Sequence, residues 1–184
     1  LTGNGVRPAG LDPQKALPGV AGIRDARFER LVRLYAPQSR APATIDLDLF
    51  PDLDARILAE TKLLQDIARA DALCLVVRAF EDAAVYHVRG TVDPVRDIDE
   101  VGAELLLNDL AFVEKRLDRV ERETRHPHQA GAGEEKALLA RVKAHLDAGL
   151  PLRTLSLSVE ESRRLAVYPL ATLKQLVVAL NTSD

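Results

Sequence analysis

The chain has 184 residues, of which 47% are hydrophobic and only 4% are aromatic, so its core has to be built from Leu, Val, Ile and Ala. This length fits one domain, or one core domain with an insertion. The formal net charge of −3 provides no overall basic field of the kind that attracts DNA or an anionic membrane, and we expect neither as a partner.

A single cysteine, Cys74, excludes an intrachain disulfide and zinc sites made of four Cys ligands. It stands within the apolar run ALCLVV and is expected to be a small core residue. No apolar run approaches the ~20 residues that cross a bilayer, and LTGNGVRPAG lacks the apolar centre of a signal peptide. We therefore expect a cytoplasmic protein. Because the chain starts without Met and ends after a strand-like run, we expect it to be a piece of a longer protein.

Residues 1–24 are rich in Gly and Pro and are predicted to be loop. DARFERLVRLYAP has apolar residues at helical spacing, and Pro37 ends this predicted helix. ATIDLDLF alternates apolar and acidic residues, which predicts a strand with Asp46 and Asp48 on its exposed side. DARILAETKLLQDIARAD then has a helical apolar stripe, and ALCLVVRAF is predicted to be a fully buried strand.

Strand, helix and strand joined by short links are typical of a parallel sheet with helices on its faces. LKQLVVALN at 173–181 is predicted to be another buried strand, reached after a helix that SVEE begins with a capping box. We therefore expect a three-layer α/β core with right-handed crossovers. Its strands near 43–50, 72–80 and 173–180 are predicted to be mutually parallel.

The segment between the last two strands has the apolar spacing of a coiled coil. Asp93-Pro94 opens a long predicted helix, and RHPHQAGAG breaks it. A second helix follows and ends at Gly149 as its C-cap glycine, with Pro151 beyond. The predicted seam recurs at spacings of four and three in the first helix and continues in the second: Leu106, Leu110, Val113, Leu117, Val120, Leu139, Val142 and Leu146.

These two helices, over 99–124 and 134–148, are predicted to form an antiparallel hairpin. The hairpin is inserted into an α/β domain between two of its strands. This predicts a domain made of 1–98 with 150–184, and an inserted helical domain at 99–149.

Four stretches, PATIDLDLF, RADALCLVVRAFED, HVRGTVDPVRDIDEVGAELLLNDLAFVEKRLDRVERE and VVALNTSD, resemble the Obg-like ATPase (YchF) family of P-loop NTPases. The resemblance runs from about residue 41 to the end and is strongest over 71–124. It implies a partial P-loop NTPase fold (a G-domain-like parallel sheet with helices on both faces), with the antiparallel helical hairpin inserted at this point. In the family a small TGS domain follows.

The phosphate-binding motifs of this family are missing or altered. No G-x-x-x-x-G-K-[ST] occurs, and LTGNG resembles the segment just past that motif. The family's Asp-x-x-Gly aligns with the stretch from Leu49 to Asp52, which places an apolar side chain where an Asp supports Mg²⁺. Asp46, Asp48 or Asp52 remain as substitutes for that carboxylate.

The base-recognition motif is better preserved. The family carries Asn-x-x-Glu after the next strand, and this chain has Asn181 and Asp184 at the matching positions. The resemblance therefore implies that these two residues hydrogen-bond the edge of a purine. The change from Glu to Asp leaves ATP and GTP both open.

The resemblance implies a portion of an ATP- or GTP-binding switch that meets the ribosome, with Mg²⁺ as cofactor where an intact parent has a P-loop upstream. No cofactor and no hydrolysis are expected from this chain alone. The alternative is a degenerate, non-catalytic homologue whose hairpin binds protein or RNA. The sequence upstream of Leu1 in the parent gene would distinguish the two.

Other polar residues have plain structural interpretations. His87 is interpreted as a turn residue rather than a catalytic one, and His126 and His128 as solvated loop residues rather than metal ligands. The alternating charges of the hairpin are typical of an exposed helix face. Within them an arginine recurs every three residues, and the alternative to a solvated face, which the family's association with ribosomes supports, is an RNA-facing stripe: Arg116, Arg119, Arg122 and Arg125.

Overall fold

The computed structural model describes residues 16–50, 61–87, 89–123 and 132–183. The chain divides into two compact units, Leu1–Leu53 and Asp54–Asp184. Within the described ranges, no helix is both long and apolar enough to span a membrane.

The first unit contains an antiparallel pair of strands. β1 (Leu17–Gly22) pairs with β2 (Thr44–Leu49), and α1 (Ala26–Tyr35) lies between them in the chain. The prediction of loop for 1–24 is therefore wrong at 17–22. Its Pro and Gly residues are poor strand formers, but a two-stranded ribbon leaves each strand an unpaired side, where a missing N–H costs no hydrogen bond.

The prediction for the 43–50 strand needs a correction. β2 is extended as predicted, but it pairs antiparallel with β1 and is not in the sheet formed by the other two predicted strands. All six of its residues are exposed, so the expected buried face is absent as well. An alternating pattern indicates that a segment is extended, but it carries no information about which strand pairs with it.

The second unit contains the parallel pair. α2 (Thr61–Arg69) precedes β3 (Ala72–Arg78), which pairs in parallel with β4 (Gln175–Asn181) from its first residue to its last. The parallel relation of these two strands was predicted correctly. Leu64 and Ile67 of α2 are buried, in agreement with the predicted apolar stripe.

The expectation that both strands are fully buried is wrong. In β3 only Val77 is buried, and the alternate residues Ala72, Cys74 and Val76 are exposed. The expectation that Cys74 is a core residue is therefore wrong as well. The described residues cover one face of this two-stranded sheet, and Cys74 points from the other.

Two long helices dominate the second unit. α3 (Pro94–Glu123) and α4 (Ala132–Asp147) run antiparallel, as two ion pairs between them show. Glu114 contacts Lys143 at 3.1 Å, whereas Glu121, later in α3, contacts Lys136, earlier in α4, at 3.0 Å. The predicted seam packs between them. Its buried members are Val113, Val120, Leu139, Val142 and Leu146, and its partly buried members are Leu106, Leu110 and Leu117.

The C-terminal end of α4 has the predicted glycine cap. Gly149 has φ +75°, and its N–H donates to the carbonyl of Leu146 while the Leu150 N–H donates to that of His145. These two bonds form a Schellman motif, which satisfies carbonyls that the helix leaves free. Pro151 then leads into a short 3₁₀ helix, Leu152–Thr154.

The segment that returns to the sheet packs on the hairpin. α5 (Val159–Leu165) begins at Ser158 with the predicted capping box to Glu161, and a 3₁₀ helix, Ala171–Leu173, precedes β4. Leu152, Leu165 and Leu170 are fully buried in the same cluster as the α3–α4 seam. That core therefore includes residues on both sides of position 149, and the domain division at 99–149 stays a prediction.

Candidate functional site

Asn181 is the last residue of β4 and lies at the carboxyl end of the parallel pair. It is exposed, and its carbonyl accepts a hydrogen bond from the Ala79 N–H at 2.8 Å. In open α/β sheets ligands bind beyond the carboxyl ends of the strands. Asn181 therefore presents an amide, with a donor and an acceptor, at the edge of the sheet where such ligands bind.

Arg78 organises the loop that follows β3 at the same edge. Its guanidinium donates to three backbone carbonyls: Phe80 at 3.0 Å, Val85 at 2.9 Å and Asp82 at 3.0 Å. It also lies 4.6 Å from the centroid of the Phe80 ring. One side chain thus fixes the path of residues 79–85 beside Asn181. The sequence reasoning missed this role, although an Arg that interrupts the apolar run ALCLVVRAF was a signal for it.

The residues predicted to align with the family's phosphate motif, Leu49 to Asp52, belong to the other unit. Leu49 ends β2 with 57% of its surface exposed, and its hydrocarbon side chain has no oxygen to hold a magnesium ion. Asp46 and Asp48 are exposed on the same strand, whereas Asp52 and Asp184 lie outside the described residues. Among the described residues no group of three or more His, Cys, Asp or Glu side chains is placed to hold a metal.

His87 supports the turn between the sheet and α3. Its Nε2 lies 3.1 Å from a carboxylate oxygen of Asp97, and its Nδ1 accepts the Arg89 N–H at 3.2 Å. Because Nδ1 accepts, the proton that is shared with Asp97 is on Nε2. Gly90, with φ +75°, allows the chain to bend between His87 and Asp97. These contacts agree with the structural interpretation of His87.

The start of α3 is held by several further contacts. Asp93 accepts the Arg96 N–H at 3.1 Å in an N-cap geometry, directly before Pro94. Arg96 also donates to the Thr91 carbonyl at 2.8 Å and contacts Asp97 at 2.9 Å. These contacts hold the first turn of α3, in agreement with the predicted helix start.

Asp109 is a buried polar residue that the sequence reasoning missed. It lies on α3 with no exposed surface and accepts three hydrogen bonds, from the N–H of Ala171 at 2.9 Å and from the N–H and the hydroxyl of Thr172 at 2.7 and 2.6 Å. Burial raises the pKa of its carboxyl group, while these donors act in the opposite direction. The missed signal was its spacing: Asp109 lies four residues from both Leu105 and Val113 on the buried stripe.

The predicted arginine stripe is divided by the structure. Arg116 turns toward α4 and Tyr168: its guanidinium contacts Glu135 at 2.6 Å and reaches the Tyr168 hydroxyl at 3.4 Å. The hydrogen bond with Tyr168, followed by that with Glu135, raises the pKa of Arg116 against its desolvation. Arg116 is therefore a structural residue and not part of an exposed stripe, which corrects the prediction.

Exposed cations near the end of α3 line a shallow groove of ≈470 Å³. Its lining residues are Lys115, Arg119, Arg122 and Glu123. Arg119 pairs with Glu123 at 2.8 Å, and Arg122 donates to the backbone carbonyl of Asp118 at 3.2 Å. The predicted loop residues His126 and His128, and the last stripe residue Arg125, lie outside the described residues.

No family model matches the chain. Obg-like ATPase 1 of Oryza sativa subsp. japonica is 33% identical over 178 residues, which is 95% of this chain and 44% of that protein. The ribosome-binding ATPase YchF of Bacillus subtilis is 29% identical over 173 residues, 90% of this chain and 46% of that protein. The solved structure of the Schizosaccharomyces pombe YchF GTPase superimposes with a TM-score of 0.80 at 30% identity, covering 100% of this chain and 50% of that one.

The chain is a relative of the Obg-like ATPase (YchF) family. The predicted resemblance is thereby confirmed, and so is the fold class, a mixed α/β P-loop NTPase fold. This YchF-like chain spans about half the length of the curated relatives it matches.

Proposed function

We propose that this YchF-like chain is a portion of a nucleotide-binding protein in which Asn181 and Asp184 contact the purine base. The observation that carries the proposal is the position of Asn181, exposed at the carboxyl end of β4 and beside β3. The relatives are named ATPases, and the solved neighbour is named a GTPase. In an intact parent with a P-loop, the ligand is ATP or GTP with Mg²⁺.

The 184-residue chain by itself is not competent for hydrolysis in this proposal. Three charged phosphates need backbone amides, a Lys and a metal ion to replace their hydration, and a Gly-rich loop supplies them in P-loop proteins. The sequence has no such loop, and the predicted alignment with the family puts Leu49 where a carboxylate supports the metal. Base-edge hydrogen bonds contribute about 0.5–1.5 kcal/mol each, or about 1.5–3 to a charged acceptor. Their sum barely reaches the ~4 kcal/mol of millimolar affinity.

Calorimetric titration of Mg·ATP and Mg·GTP into the purified chain tests the phosphate argument, together with a phosphate-release assay. We expect no turnover and a dissociation constant weaker than about 1 mM for both nucleotides. A micromolar constant for either would show that a phosphate site is built from residues other than those of the missing loop.

The base contact is tested by a method that detects weak binding. Saturation-transfer NMR with ATP and GTP should show a purine signal that Asn181→Ala removes. Gln175→Ala, at the opposite end of the same exposed strand, is the matched control and should leave the signal unchanged. Equal signals from the two variants would place the base elsewhere.

For the partner, we propose that the α3–α4 hairpin contacts the ribosome or another RNA. Bacterial relatives are named ribosome-binding ATPases. The groove with Lys115, Arg119 and Arg122 offers cations to a phosphate backbone. The same surface serves the second candidate function, a non-catalytic homologue whose hairpin is a binding arm, and the Leu49 replacement favours that candidate.

Co-sedimentation with ribosomes tests this surface. The double variant Lys115→Glu/Arg122→Glu should weaken binding and reduce its dependence on salt, because fewer counterions are released. The control Arg30→Glu/Arg33→Glu makes the same charge change on exposed positions of α1. If both double variants lose binding equally, the attraction is to net charge and the hairpin is not the contact surface.

A further inference from the structure

We propose that Asp109 is a positioning residue that couples the hairpin to β4, and thereby to Asn181. The group formed by Asp109, Thr172 and Leu152 is called the Asp109 joint below. The inference rests on the proposed function, since a movement of Asn181 affects nucleotide binding only if Asn181 contacts the base. The coupling itself is a property of the fold and is tested without nucleotide.

The Asp109 joint connects three segments that are distant in the sequence. Asp109 on α3 accepts both N–H groups at the start of the 3₁₀ helix Ala171–Leu173, and also the Thr172 hydroxyl. That hydroxyl oxygen in turn accepts the Leu152 N–H at 3.3 Å, from the segment that follows α4. Asp109 has 0% and Thr172 2% of its surface exposed, so water does not replace any of these bonds.

The joint lies at the entrance to β4. Only Lys174 separates the 3₁₀ helix from Gln175, the first residue of the strand. From there β4 is paired with β3 without interruption to the final pair, Arg78 with Asn181. An extended strand has little slack along its axis, so a shift of Thr172 moves the strand and its last residue or breaks the pairing.

Directional bonds set this position more sharply than the surrounding packing does. Leu152, Leu165 and Leu170 pack beside the joint, and apolar contacts of this kind tolerate small sliding movements. A buried carboxylate with three donors has one satisfied arrangement, and leaving a donor unpaired in a low dielectric is costly. The joint therefore transmits a displacement of α3 to β4 instead of absorbing it.

The test perturbs the hairpin and measures β4. Val142→Ala opens a cavity in the α3–α4 seam without changing a residue of the joint, and amide NMR shifts of Gln175–Asn181 are recorded. We expect these signals to move in the wild-type chain and in Thr172→Ser, which keeps the hydroxyl. Thr172→Val keeps the shape and the two backbone N–H bonds to Asp109 but removes the hydroxyl, so the movement caused by Val142→Ala should become smaller. A merely structural role of Thr172 lowers stability without reducing this response.

Asp109→Asn breaks the joint from its other end and replaces Thr172→Val if that variant does not fold. If Val142→Ala does not fold, the milder Leu139→Val replaces it. Unmoved β4 signals in the wild-type background overturn the proposal, and so does an equal movement in Thr172→Val. Because no nucleotide is present, a failure here is distinct from a failure of the base contact, which the Asn181→Ala experiment measures.

Discussion

Asp109 and Thr172 are the two polar residues that the described part of the chain buries almost completely. Each satisfies the other, and the two backbone N–H groups beside them are satisfied by the same carboxylate. A complete group of buried hydrogen bonds adds little to the free energy of unfolding. Removing one partner lowers that free energy strongly, because the remaining donors stay buried without water.

Asp109→Ala should therefore be strongly destabilising. It leaves the N–H groups of Ala171 and Thr172 unpaired, at about 1–3 kcal/mol for each buried donor. Urea unfolding followed by circular dichroism measures the loss. Asp118→Ala, an exposed position on the same helix, is the matched control and should change the free energy of unfolding by less than about 0.5 kcal/mol. A loss no larger than that of the control would mean that water enters the joint.

The sequence predicted the site residues unevenly. The strand before Asn181 and the alignment with the family's motif were sufficient to place that residue at the end of β4. Arg78 and Asp109 were missed because their partners are mainly backbone groups. The sequence does not show which main-chain carbonyl or N–H a side chain will contact. Among 28 acidic residues, only its place on an apolar stripe distinguished Asp109.

At the scale of single elements, the hairpin follows from side-chain spacing. Apolar residues at alternating intervals of four and three must face a partner, and the nearest partner in the chain is the next helix. The seam is uneven, because Leu139 is fully buried whereas Leu110 is only partly so. Leu107, on α3 but outside the seam, is 57% exposed.

Leu139→Ala should lower the free energy of unfolding by about 2–5 kcal/mol, because it leaves a cavity in a fully packed region. Leu110→Ala should cost less, since its surroundings are open enough to adjust. Leu107→Ala is the control for the loss of a leucine from an exposed helix face. Thermal and urea unfolding rank the three, and equal losses for Leu139 and Leu107 would contradict the packing described for the seam.

The capping box of α5 should show in the pH dependence of stability. The hydrogen bond from Arg141, followed by that from the Ser158 N–H, lowers the pKa of Glu161 from 4.5 to about 2. Since the folded pKa is the lower one, ionised Glu161 stabilises the fold above pH 4.5, and this contribution is lost as the pH falls toward 2.

The difference in unfolding free energy between the wild type and Glu161→Gln should therefore be constant at neutral pH and shrink through that acidic window. Arg141→Gln removes the largest cause of the shift and should narrow the window. A difference that grows as the pH falls would contradict the sign of the effect.

The strands were predicted less well than the helices for a physical reason. A helix satisfies its backbone within one segment, so local spacing and caps determine it, as the Ser158 cap and Gly149 show. A strand depends on a partner that the local pattern does not name. β2 was correctly predicted to be extended and wrongly assigned to the parallel sheet, and β1 was missed because its Pro and Gly residues favour loops.

At the scale of the whole molecule, the chain consists of two compact units that differ in their interiors. The buried residues of the main apolar cluster come from α3, α4, α5, the 3₁₀ helix Leu152–Thr154 and Leu170, which all belong to the unit Asp54–Asp184. The unit Leu1–Leu53 has a single buried apolar residue in its described part, Val32.

A chain shortened to residues 54–184 should therefore keep its helices. We expect its far-ultraviolet circular dichroism to show the helical signal of α3 and α4, and its unfolding to stay cooperative, because every residue of the main cluster is retained. The complementary peptide 1–53 should not fold alone, since a ribbon and one helix bury too little apolar surface. Loss of cooperative unfolding in the longer piece would show that its core depends on the first unit.

The outward position of Cys74 makes the protein suited to site-directed labelling. It is the only thiol in the sequence, it is exposed, and it lies opposite Val177 in the pairing of β3 with β4. A maleimide dye or spin label will therefore attach at one defined point, and its signal will report on the strand that ends at Asn181 without any engineered cysteine. The same accessibility means that two chains can join through a disulfide during storage in air, so a reducing agent belongs in every buffer until the label is in place.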